Sequence, residues 1–165
     1  MSKIFNEKLT QLSRLKYIIL RPHNIYGPRM GFSHVIPELI KKIIQEKKKI
    51  SKKTIVYSPN HTRAFCYIDD AVDQIIKLSF SKNSNKKIFN IGNMKEEIKI
   101  IDLAKKIKKK IYKKSKLIRG RVTIGSPKRR VPDMTKTTKE TKLVNFTNLE
   151  NGLNKTIRWY LDKTK

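Results

Sequence analysis

Histidines, a lone cysteine and the arginines are the side chains here with chemistry to offer, and their spacing excludes most of it. His23, His34 and His61 lack the short intervals that bring two imidazoles onto one metal, and Cys66 has no second cysteine to pair with. No His-Glu-x-x-His, nucleophile elbow or Walker loop is present, and no Gly-x-Gly-x-x-Gly marks a dinucleotide-binding turn. No metal is expected. What remains is cationic: 40 Lys and Arg against 13 Asp and Glu give a net charge of +27 over 165 residues. Such a balance suits a polyanion such as nucleic acid or anionic lipid. The lysines are nevertheless spread through segments of ordinary amphipathic pattern. Runs such as Lys47-Lys48-Lys49 and Lys108-Lys109-Lys110 fall at expected helix ends, where cations complement the dipole. Aromatics, at 8%, show no spacing that would stack bases. A solvated basic surface is therefore the first reading and a nucleic-acid-binding protein the alternative.

The elements that must position these side chains follow from hydrophobic period. Ser2 to Arg14 reads as a helix, with Ile4, Phe5, Leu9 and Leu12 on one stripe. Tyr17-Ile18-Ile19-Leu20 is an apolar run of the kind buried on both faces of a parallel sheet, ending at Arg21-Pro22. Such a strand needs parallel neighbours, and the other short strands are poor candidates for that place. A helix from His34 to Lys47 with Ser33 as cap, a strand over Thr54 to Tyr57 and a second over Ala64 to Ile68 come next. Asp69-Asp70 is expected to cap a helix reaching Phe80, with Val72, Ile75, Ile76 and Leu78 inside. Ile88 to Ile91 reads as a strand, Ile98 to Tyr112 as a helix and Leu117 to Ile124 as extended chain. Ser126 to Asp133 is a loop, and the last helix runs from Leu149 to Leu161. No apolar run is long enough to span a bilayer and no signal core opens the chain, so a cytoplasmic protein is expected.

Four segments stand out in order: Leu20-Arg21-Pro22-His23-Asn24-Ile25-Tyr26-Gly27-Pro28; Thr62-Arg63-Ala64-Phe65-Cys66-Tyr67-Ile68-Asp69-Asp70; Phe89-Asn90-Ile91-Gly92-Asn93; and Ser126-Pro127-Lys128-Arg129-Arg130-Val131-Pro132-Asp133. Together they resemble the extended short-chain dehydrogenase/reductase family in its nucleotide-sugar epimerase/dehydratase branch. The resemblance implies an α/β fold of mixed helices and short strands that represents the C-terminal part of that family, with the Rossmann half missing. Residues 1–33 would be a remnant of the Rossmann domain and 34–165 the substrate-binding domain.

The roles of single residues are implied by the same resemblance. Lys3 matches the lysine of the family's Tyr-x-x-x-Lys motif, whose tyrosine would precede Met1, so a catalytic and NAD-binding part falls to Lys3. Pro22 and His23 match positions beside the nicotinamide. Arg63 and Arg130 would grip the diphosphate, because guanidinium groups fork onto paired phosphate oxygens. Asp133 would sit near the ribose or orient Arg130, and Asn24 would bond the sugar nucleotide or close a turn. Val35 and Ile36 would pack on the base, with Tyr57 skirting the nucleotide. The implied cofactor is NAD and the implied ligand a UDP-type nucleotide sugar, with a homodimer or a separate N-terminal half as protein partners. Epimerisation, dehydration and decarboxylation all stay open, as does a non-catalytic binding module. A truncated chain inactive by itself is expected. Two departures from the family pattern fall at turns: Lys99 where a Ser or Thr usually caps a helix, and Ser58-Pro59-Asn60-His61 where a Gly-Asp-Gly-like turn is common.

Overall fold

The alternation of short apolar runs with amphipathic helices builds six α-helices, one 3-10 turn (Lys82–Ser84) and nine short strands among the described residues, 2–163, of the computed structural model. In chain order they are α1 (Ser2–Leu12), β1 (Ile18–Pro22), β2 (Ile25–Tyr26), α2 (Val35–Lys47), β3 (Thr54–Val56), β4 (Thr62–Ala64), β5 (Cys66–Tyr67) and α3 (Ile68–Phe80). Then come β6 (Lys87–Ile91), β7 (Glu97–Lys99), α4 (Ile100–Ile111), β8 (Leu117–Arg119), β9 (Arg129–Arg130), α5 (Thr135–Thr141) and α6 (Leu149–Lys163). Three parallel pairs, β1 with β6, β2 with β5 and β3 with β8, accompany a three-stranded sheet in the order β7-β4-β9. The α/β class expected from the sequence is the one observed.

The larger core lies between three helices. Ile36, Leu39, Ile40 and Ile43 of α2 meet Leu103, Ala104 and Ile107 of α4 and Leu153, Ile157 and Tyr160 of α6. Each fully buried Leu or Ile contributes roughly 1.5–3 kcal/mol relative to exposure. Tyr26 packs edge-on against Phe65 and Tyr67, joining β2 and β5 to this core. A smaller cluster of Cys66, Ala71, Leu78, Phe89 and Ile91 lies beneath β1 and β6, with Ile18 and Leu20 against it. The Cys66 thiol is pushed up to about 12, first by burial and then by the nearby Asp70 charge, so it is inert.

At Gly152, α6 lies close against Tyr26 of β2 and Tyr67 of β5. A Cβ at that position would overlap the Tyr26 hydroxyl and lie 3.0 Å from Tyr67 Cδ2. Both rings are buried, so neither can retreat without repacking. Gly152→Ala is expected to cost about 2 kcal/mol despite its better helix propensity. Chemical denaturation of the two proteins checks this; an unchanged midpoint would contradict it.

Several sequence expectations are corrected. The chain does supply a parallel neighbour for Tyr17–Leu20: β6 pairs along all of β1, from Ile18↔Lys87 to Pro22↔Ile91. Val72, Ile75 and Ile76 are exposed, and the buried face of α3 is Ala71, Gln74 and Leu78. Gln74 is held inward by its amide, which donates 3.1 Å to Gly92 O and accepts from Gly92 N at 3.1 Å. The Val72, Ile75 and Ile76 side is left uncovered among the described residues. Asp69 and Asp70 lie in the first turn of α3 without capping it; Asp70 instead holds Thr147, through its N at 2.9 Å and its Oγ1 at 3.1 Å. The N-cap of α2 is His34 rather than Ser33, and α4 begins at Ile100 because Glu97–Lys99 pairs with β4. The strand β8 ends at Arg119 and its backbone bonds to the β3 side reach Arg121, whose O accepts from Ser58 N at 3.0 Å, short of Ile124. The Ser126–Asp133 loop contains the short strand β9, and α5, a polar seven-residue helix, had no apolar period to announce it.

Candidate functional site

The site is built where β4 and β9 run side by side. Arg63 and Arg130 are register partners in that parallel pair, so both side chains leave the sheet on one face. They line a cavity of about 340 Å³, within the range of small-molecule sites. Asn24, Val35, Ile36 and Tyr57 line the same cavity. The first turn of α2 brings Val35 and Ile36, and the residue after β3 brings Tyr57.

Arg63 is only 8% exposed, and its two polar partners are neutral. Its Nη1 donates to Thr62 O at 2.7 Å and its Nη2 to Ser126 Oγ at 2.7 Å. Burial lowers its pKa, and the neighbouring Arg130 charge lowers it further; a guanidinium still keeps its proton. Among the described residues neither arginine has a carboxylate partner. Two adjacent cations, one of them desolvated and unneutralised, are unfavourable by themselves. They become favourable when an anion with several oxygens sits between them, as a diphosphate does.

Asn24 adopts a left-handed conformation, φ 44°, which asparagine tolerates better than most residues. Its Nδ2 donates to Ala64 O at 2.9 Å and to Arg130 O at 3.3 Å, so it clasps the two arginine-bearing strands. Ser58 replaces the glycine common at this turn and still takes φ 47°; its Oγ accepts from Thr123 N at 2.9 Å, holding the rim opposite. Lys42 stands 4.8 Å from the centre of the Tyr57 ring, donates to Ile55 O at 3.2 Å and pairs with Glu38 in the cavity wall.

Arg129 points elsewhere. It forks onto Glu97, with Nε 3.0 Å from Oε1 and Nη2 2.9 Å from Oε2, on the exposed surface. Arg129→Ala is therefore expected to leave ligand affinity within about twofold, since exposed pairs contribute little and act at a distance only through screened charge. A calorimetric titration checks this; a loss comparable with that of an Arg63 variant would contradict it.

The structure does not bring the remaining sequence candidates to this cavity. Asp133 is exposed and accepts from Thr135 N at 2.9 Å at the start of α5; Thr135 donors hold its carboxyl below the ordinary range. His23 Nε2 lies 3.2 Å from Asn90 Oδ1, Pro22 ends β1, and Lys3 is exposed in the first turn of α1. Ser126 is the residue the sequence reading passed over: it supports Arg63 and lies 3.3 Å from His61 Nδ1. Its hydroxyl stood at the head of the fourth segment, next to a proline, and that was its only signal.

The model of the NAD dependent epimerase/dehydratase family matches residues 1–92. UDP-glucuronic acid decarboxylase 5 of Arabidopsis thaliana is 30% identical over 118 residues, covering 72% of this chain and 33% of that protein. Among solved structures, the UDP-glucuronic acid 4-epimerase of Bacillus cereus, in complex with UDP-glucuronic acid and NAD, is 25% identical with a TM-score of 0.79, covering 88% of this chain and 45% of that one. The UDP-glucose 4-epimerase of Thermotoga maritima with UDP-glucose is 21% identical with a TM-score of 0.83, covering 99% and 52%. The chain thus spans about a third of the length of that curated relative and about half that of the solved structures.

Proposed function

The chain belongs to the NAD-dependent epimerase/dehydratase family, and we propose that its cavity holds a nucleotide sugar by the diphosphate. The observation that carries this reading is the pair Arg63 and Arg130, two cations on one cavity wall with no carboxylate partner among the described residues. Arg63 is pre-oriented by Thr62 O and Ser126 Oγ, so little side-chain entropy is lost when a phosphate arrives. Val35, Ile36 and Tyr57 offer apolar and aromatic surface for a base beside the charged end. Resemblance favours UDP over other nucleotides, since the relatives above are named for UDP-sugars.

Family members use NAD for hydride transfer at the sugar. Here Lys3, Pro22 and His23, which the resemblance sets beside the nicotinamide, line neither the Arg63–Arg130 cavity nor the two larger grooves, and the 165 residues hold no Gly-rich turn for a pyrophosphate. These residues do not by themselves enclose a dinucleotide. The part of the reaction assigned to this chain is accordingly binding and orientation: remote diphosphate contacts hold the sugar while other groups transform it. In this reading residues 34–165 are the substrate-binding portion and residues 1–33 a remnant of the cofactor-binding Rossmann domain.

Titration of the chain with UDP-glucose and UDP-glucuronic acid tests the proposal. Saturable binding with competition by UDP and none by uridine is expected, with no turnover when NAD is added to the chain alone. Absence of saturable binding, or equal competition by uridine, would sink it.

A further inference from the structure

His61 is buried at 7% exposure and lies outside the cavity lining, yet its ring reaches the side chain that steadies Arg63. Arg63 Nη2 donates to Ser126 Oγ at 2.7 Å, and the same oxygen lies 3.3 Å from His61 Nδ1. The histidine backbone is fixed on both sides: its N donates to Ser58 O and its O accepts from Ile100 N, each at 3.0 Å. The ring is thereby held in one place, at the residue directly before β4. Thr62 O holds only the other guanidinium nitrogen, Nη1, at 2.7 Å. With that tether alone the guanidinium could swing about it, so the second bond, to Ser126, sets its direction.

What Ser126 can offer Arg63 depends on where its own hydrogen goes. A guanidinium only donates, so the Arg63 bond uses a lone pair of Ser126 Oγ. In a neutral imidazole one ring nitrogen donates and the other accepts. With Nδ1 bare, the Ser126 hydrogen lies on Nδ1 and the oxygen lone pairs turn toward Arg63. With Nδ1 protonated, two donors share one oxygen and its hydrogen is left free to rotate. The first arrangement is favoured because its bonds run in one direction, from Arg63 to Ser126 to His61. A hydroxyl that accepts from a cation becomes a stronger donor, and such chains strengthen one another at low dielectric. The second sets two donors against each other beside a buried charge.

We infer that His61 is a positioning residue for Arg63: its bare Nδ1 accepts the Ser126 hydrogen, which fixes the Ser126 oxygen and, through it, the guanidinium. His61 touches no ligand in this role. It deepens the nucleotide-sugar reading and rests on it only for what Arg63 is aimed at, since the hydrogen-bond chain itself belongs to the free protein. A guanidinium held this way before the diphosphate arrives loses little freedom on binding.

The test compares the full chain with His61→Leu, His61→Asn, Ser126→Ala and the double variant His61→Leu with Ser126→Ala, thermal melts confirming that each is folded. Nitrogen NMR of the free proteins comes first. Expected are a bare Nδ1 and a protonated Nε2 at His61, and faster exchange between the Arg63 Nη1 and Nη2 signals in His61→Leu. Titration with UDP follows. His61→Leu and Ser126→Ala are each expected to weaken it about fivefold, the worth of one hydrogen bond. The double variant should be no weaker than Ser126→Ala alone, because both changes break the same chain. His61→Asn should recover most of the loss, its Oδ1 accepting in place of Nδ1. A protonated Nδ1, unchanged Arg63 exchange in His61→Leu, additive losses in the double variant, or equal losses for asparagine and leucine would overturn the role of His61. A native chain that bound no UDP while the nitrogen signals came out as expected would remove the nucleotide-sugar reading and leave His61 as the residue that orients Arg63.

Discussion

Replacing Arg63 with alanine is expected to weaken nucleotide-sugar binding about a hundredfold while leaving the fold at least as stable. The two halves of that result have one cause. Arg63 is buried beside Arg130 with only neutral partners, Thr62 O and Ser126 Oγ, so the free protein bears the cost of holding a desolvated cation. Removing the guanidinium relieves that cost. The ligand then loses two charge-assisted bonds of about 1.5 kcal/mol each, which corresponds to roughly a hundredfold in Kd. Arg63→Lys is expected to recover little, because an ammonium cannot fork onto paired phosphate oxygens from the same position. Titration with UDP-glucuronic acid and a thermal melt of each variant check both halves. Unchanged affinity would remove Arg63 from the site, and a collapsed melt would make it a structural residue.

A loss of about 3 kcal/mol is expected for Glu46→Ala, at a residue that touches no ligand. Glu46 is buried at the end of α2 and gathers three donors: Thr54 Oγ1 at 2.8 Å, Ser115 Oγ at 2.6 Å and Lys116 N at 2.5 Å. One carboxylate thereby fastens α2 to β3 and to the residues leading into β8. Alanine would take that acceptor from the buried Thr54 and Ser115 hydroxyls, leaving them only their long 3.5 Å contact with each other. Burial pushes the Glu46 carboxyl up, but the donors from Ser115, Lys116 and Thr54 and the Lys108 charge outweigh it, so the net shift is below the ordinary 4.5. Folded protein thus binds this proton less readily than unfolded chain. The contribution of Glu46 is full above the ordinary carboxylate value and is lost as pH falls through it toward the lowered folded value. Urea denaturation at pH 7 and pH 3.5 should therefore show a smaller difference between native protein and variant at the acid pH. A difference that stayed constant would mean that the carboxylate charge is not what holds the strands.

The same latch shows why parts of the site were legible in the sequence and others were not. Arg63, Arg130, Asn24, Val35, Ile36 and Tyr57 were named by the family resemblance of short segments and do line one cavity, each held by a strand register, a turn or a helix start. Asp133, which the same resemblance set near the ribose or Arg130, is not in the lining of that cavity and accepts from Thr135 N at the start of α5, a helix without apolar periodicity that no sequence pattern announced. Gln74 and Glu46 were invisible for another reason. A buried polar residue reads as a surface position until its partners, Gly92 in one case and Thr54 with Ser115 in the other, are brought near in space. The exposed stripes on α1 and α3 show the converse, since apolar period marks a face to be covered without saying by what.

The most direct test of the account is a crystal structure of this chain with a UDP-sugar bound. The diphosphate oxygens are expected within hydrogen-bond distance of both the Arg63 and Arg130 guanidinium groups, with the base against Val35, Ile36 or Tyr57. A ligand held instead by surface lysines, with the Arg63–Ser126 and Arg63–Thr62 bonds as they are and no phosphate between the arginines, would contradict it.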